Sequence, residues 1–140
     1  HCCPVVLSYL VMDEKEIRGI IDASVNAAVE KLQALGMLRD NSLTAYEKTE
    51  KLLRKYPDLK AAGTPYANRV AAEIDRCLDD AASDPYVDVI RLYYFQGLKN
   101  SACARAMNCG ERTCRRYRVA LVQQFSTRLA SDEFIRELLL

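Results

Sequence analysis

Residues 111–118, ERTCRRYR, put four arginines, a glutamate, a threonine and a tyrosine into about two helical turns. Arginine's planar fork bonds guanine O6 and N7 together, which a lysine point charge does not do. At helical spacing Cys114, Tyr117, Leu121 and Val122 face inward. Glu111, Arg112, Thr113, Arg115, Arg116 and Arg118 are left mostly on the outward face. A helix that reads DNA needs this division, with forked donors at its N-terminal half for base edges and further cations for phosphates. Residues 99–128 hold seven basic side chains (Lys99, Arg105, Arg112, Arg115, Arg116, Arg118 and Arg128) against one acid, Glu111, a net of +6 in a chain of net +1. Positive charge gathered on one helical hairpin of a near-neutral protein is the footprint expected of a DNA-binding surface. A solvated basic helix on an ordinary helical protein is the alternative.

Other chemistries find less support. The six cysteines include no CxxC pair. Cys77, Cys103, Cys109 and Cys114 fall at apolar or semi-apolar positions, where a free thiol acts as a small hydrophobe. A zinc site from Cys103, Cys109 and Cys114 needs a fourth ligand, and the one histidine is His1. No metal or other cofactor is therefore expected. No Gly-rich phosphate loop and no evident acid pair suggests a reaction, so no catalytic residue is assigned and an enzyme is not expected. Residues 1–12, HCCPVVLSYLVM, lack a basic leader and are too short to span a bilayer. They read as an upstream extension or a short docked segment. Without disulfide-type spacing, a cytoplasmic protein with no membrane contact is expected.

The elements that must position the arginines are helices. Half the residues are apolar, glycine and proline are few, and no run alternates at period two, so the fold class expected is all-α. Pro85 opens a scaffold helix whose Val87, Ile90, Leu92, Tyr93, Tyr94, Phe95 and Leu98 are to centre the C-terminal core, and Gly97 allows a sharp exit. A short helix starts near Lys99, with Asn100 or Ser101 as its cap. Cys103, Ala104 and Met107 form its apolar face. Asn108 takes the left-handed turn, Cys109 plugs it, and Gly110 starts the arginine-bearing helix, which runs through Leu129.

Upstream, residues 13–35 carry an apolar stripe (Ile17, Ile20, Ile21, Ser24, Val25, Ala28, Val29, Leu32, Leu35), with Gly36 as a stop. That face must pack on its own chain or on a second copy. A second helix is expected after Asp40, Asn41 and Ser42, ending at Pro57, and residues 60–64 form the best hinge. Thr64 and Pro65 then cap and open a third helix with Val70, Ile74, Cys77 and Leu78 inside, reaching residue 83. A last helix, residues 132–140, carries an apolar patch too large to leave wet. The domains expected are 1–12, a helical region at 13–82 and a DNA-binding unit at 84–140.

The string YVDVIRLYYFQGLKNSACARAMNCGERTCRRYRVALV resembles the helix-turn-helix of region 4 of bacterial sigma factors, and NSLTAYEKTEKLLRKYPDLK resembles a segment of phage and prophage regulators of the ArpU/RinA type. Together the two cover roughly residues 41–129. The resemblance implies an N-terminal helical segment followed by a sigma region 4-like helix-turn-helix, acting as a transcriptional regulator that activates late phage genes in the cytoplasm of a bacterial host. It carries over Glu111, Arg112, Thr113, Arg115 and Arg116 as base-facing residues. Ser101, Tyr117 and Arg118 follow as flanking or phosphate contacts, and Lys99 and Asn100 complete the expected DNA-binding set. Double-stranded DNA is the implied partner. RNA polymerase is a second candidate, and a homodimer or higher oligomer is expected because one helix-turn-helix binds weakly. This chain departs from the sigma pattern in having KNSACAR where acids usually open the short helix, and Gly110 where a serine usually caps the long one. A DNA-binding packaging subunit of small-terminase type, or a helical protein-interaction module, is the alternative function.

Overall fold

The computed structural model describes residues 13–139, so the expected N-terminal segment and the last residue of the apolar patch lie outside it. Every regular element among the described residues is helical, as an all-α fold requires. Contacts divide the chain into two compact units, one ending at Gly36 and the other beginning at Met37.

The first unit holds most of α1 (Glu14–Leu38). Asp13 accepts the Glu16 amide at 2.7 Å and Arg18 pairs with Glu14 at 3.1 Å, so the helix start is well satisfied. Gly36 does not stop it. Glycine inside a helix costs only about 1 kcal/mol, and α1 continues to Leu38. The chain turns where Asp40 accepts both the amide and the hydroxyl of Ser42. The large apolar residues Ile17, Ile20, Ile21, Val25, Val29 and Leu32 are all exposed.

In the second unit α2 spans Ala45–Ala62. It starts after Asp40, Asn41 and Ser42, as the sequence indicates, with a reciprocal capping box between Thr44 and Glu47. Pro57 lies inside the helix and does not end it. Side chains on either side of Pro57 tie the helix to its neighbours. The Tyr56 hydroxyl donates to Asp75 at 2.5 Å, Lys60 reaches the same carboxylate at 2.8 Å, and Phe95 stacks on the Tyr56 ring at 4.2 Å. The helix ends instead at Gly63, whose φ of +67° suits glycine, and the expected hinge shrinks to Gly63 and Thr64. Thr64 caps α3 (Pro65–Asp80) as its sequence indicated, with Val70, Ile74, Cys77 and Leu78 buried. That helix stops at Asp80, short of residue 83.

The scaffold is less regular than its sequence suggests. Pro85 lies in a turn, α4 (Asp88–Ile90) is one short turn, and Arg91–Phe95 winds on as a π turn with Gln96 N–H bonded to the Arg91 carbonyl at 2.9 Å. Gly97, at φ +71°, turns the chain out. Then come α5 (Asn100–Ala106), α6 (Glu111–Leu129) and α7 (Asp132–Leu139). The buried interior runs through Leu52 and Leu53, Val70 and Ile74, Ile90, Leu121, Val122, Phe125 and Leu129, and Phe134 and Leu138. Because α2 and α3 both pack against α6, residues 84–140 do not form a unit of their own, and the break expected near residue 83 is absent.

Candidate nucleic-acid interface

The hairpin is set by its turn. At the end of α5 the Cys109 amide reaches back to the Ala104 carbonyl and the Asn108 amide to that of Arg105, a Schellman closure with Asn108 at φ +54°. Cys103 and Ala104 are buried, Met107 and Cys109 half-buried, so the small residues sit where α5 and α6 touch. Neither Asn100 nor Ser101 caps α5. Lys99 occupies the cap position without a side-chain bond, and the Asn100 amide donates instead to the Glu111 carbonyl at 3.1 Å, fastening the start of α5 to the start of α6. Gly110 likewise gives α6 no side-chain cap.

On α6, Arg112, Arg115, Arg116 and Val119 follow the spacing that lines one helix face. The three arginines are exposed, Thr113 and Val119 are half-buried, and together they line an open recess of about 440 Å³. Among the described residues Lys99, Arg105, Arg112, Arg115 and Arg116 make no ion pair. Arg112 stands three and four residues from Arg115 and Arg116, and such like-charge pairs each cost a helix about 0.2–0.5 kcal/mol. Glu111 is exposed beside them, Ser101 half-buried. Tyr117, at the edge of this face, stacks on Tyr86 with centroids 3.9 Å apart and lies under the Arg116 guanidinium.

Two of the seven cations do not belong to this surface. Arg118, expected to face outward and hold phosphate, is buried at 7% exposure. It donates to the Tyr94 hydroxyl at 3.4 Å and lies over the Tyr93 ring at 3.8 Å. The Tyr94 hydroxyl in turn donates to Glu50 at 2.7 Å, so a carboxylate on α2 answers the buried cation through a phenol. Burial first, and then the Glu50 bond, push the Tyr94 phenol well above its ordinary range. The reason is periodicity. Cys114, Arg118, Leu121, Val122 and Phe125 fall on one inward face, and the residue type, not the spacing, suggested otherwise. Arg128 is held by Glu73 at 2.6 Å and Glu137 at 2.9 Å, joining α3, α6 and α7. The Glu50–Tyr94–Arg118 chain went unseen in the sequence, although the spacing of Arg118 from Cys114 and Leu121 signalled it.

The cysteines pack. Cys77, Cys103 and Cys114 are buried free thiols, and burial raises all three, Cys77 and Cys114 to about 11. No group of three or more His, Cys, Asp or Glu side chains among the described residues is placed to hold a metal ion. No helix among them is long and apolar enough to cross a membrane. No family model, curated protein or solved structure matches the chain.

Proposed function

We propose that the chain is a sequence-specific regulator that binds double-stranded DNA, with α6 as its reading helix. The observation that carries this reading is the unpaired arginine face of α6 at Arg112, Arg115 and Arg116. It occupies the N-terminal half of a long helix whose opposite side is locked into the core, so forked donors are offered on a rigid support. Like charges so close together favour a polyanion, and the first amides of α6, with no side-chain cap over them, suit phosphate oxygens. Lys99 and Arg105 extend the cationic surface along α5. Asn100, Arg118 and Arg128 act within the fold. A role as a phage-type activator, with RNA polymerase as a further contact, rests on the resemblance of residues 41–129 and belongs to the same proposal.

The test is duplex binding by fluorescence anisotropy across a salt series. Five free cations on phosphate would give a slope of log affinity against log salt of at most roughly −4.5, since each neutralised phosphate contributes about −0.9. The triple variant Arg112→Ala, Arg115→Ala, Arg116→Ala, altered only at exposed positions, keeps its helical spectrum and loses most of that slope. Unchanged binding by the triple variant would reject the reading.

A further inference from the structure

The apolar face of α1 is a feature that DNA binding leaves unused. Ile17, Ile20, Ile21, Val25, Val29 and Leu32 are between 43% and 69% exposed, and they form one continuous stripe with Ser24 and Ala28 between them. Side chains of this size at that exposure present roughly 600 Å² of apolar surface, at the upper end of the largest patch on an ordinary monomer. We infer that this stripe is a self-association surface, its occupant the same stripe on a second copy of the chain.

Three observations select that occupant. The area fits, because two such faces brought together cover about 1,200 Å², the lower bound of a specific and stable interface. The charge fits as well. No charged residue interrupts the stripe from Ile17 to Leu32, and the surrounding acids and bases are mixed: Asp13, Glu14, Glu16, Asp22 and Glu30 against Lys15, Arg18 and Lys31. A face can pair with its own copy only when it does not repel itself, and this one has no single-sign field. The same mixture disfavours an anionic lipid surface, which selects Lys and Arg on the polar side of an amphipathic helix. Finally, the pattern fits: the stripe is bounded by large aliphatic side chains at both ends, with Ser24 and Ala28 near its middle, so a two-fold axis there lets two helices approach closely. The inference is independent of DNA reading.

Sedimentation velocity of the full chain over a hundredfold concentration range tests it. The variant Ile20→Ala, Ile21→Ala, Val25→Ala, Leu32→Ala removes apolar area while keeping strong helix formers, so α1 itself is preserved. The wild type is expected to be a dimer, and the variant to dissociate with a dissociation constant raised roughly a hundredfold or more. Circular dichroism confirms equal helicity in the two. A wild type that is monomeric throughout, or a dimer that survives the four substitutions, would overturn the inference.

Discussion

Arg118 and Arg115 are three residues apart on one helix and have opposite fates. Arg115 is exposed and unpaired, whereas Arg118 lies over Tyr93 and bonds to Tyr94. Arg118→Ala would leave the Tyr94 hydroxyl without its donor, while Glu50 keeps its ion pair with Arg54 at 3.5 Å. It should lower folding stability by about 1–3 kcal/mol, read as a shifted urea midpoint, while the folded protein keeps its preference among DNA sequences. A normal midpoint combined with weaker binding to all duplexes would instead return Arg118 to the phosphate-contacting set. In the sequence both residues look alike because arginine is so seldom buried. What separates them is spacing, which puts Arg118 on the inward face with Cys114 and Leu121; the carboxylate behind its Tyr94 partner, Glu50, lies 68 positions upstream, where no local pattern announces it.

The turn between α5 and α6 was readable for a local reason. Asn108 is one of the few residue types that tolerates positive φ, and the spacing of Cys103, Ala104, Cys114 and Leu121 fixes which faces of the hairpin meet. Asn108→Gly should therefore be tolerated, while Asn108→Val should cost about 1–2 kcal/mol from backbone strain. Thermal melts of the pair measure this, and equal melting temperatures would show that the turn relaxes freely. Helix ends decided by distant contacts were misread. Pro57 reads as a terminator, yet the bonds from Tyr56 and Lys60 to Asp75 hold both sides of it on α3. Similarly, the aromatic run at residues 93–95 marks a core helix but not its π winding. Across that winding Tyr93 and Tyr94 both meet Arg118 while Phe95 stacks on Tyr56.

For the whole molecule, helical class and the position of the cationic hairpin were legible because both depend on composition and period. The domain boundary was not. Composition and the proline at residue 85 mark a joint near residue 83, but α2 and α3 supply the wall against which α6 rests, so the second unit begins at Met37. Charge counting was correct in sign and too generous in amount. Glu73 and Glu137 bind Arg128 and the tyrosines hold Arg118, which leaves five cations free on the α5–α6 surface against Glu111. The arrangement gives α6 a rigid rear and a charged front, as expected of a helix inserted into a groove.

The most direct test of that account is a binding selection from random duplex DNA, run in parallel with the wild type and with Arg115→Ala. The wild type should enrich one motif, and Arg115→Ala should relax a single position of it, with a loss of about 1–3 kcal/mol of discrimination at that base pair. If no motif is enriched, or if the same motif emerges unchanged from both proteins, α6 is not the reading helix.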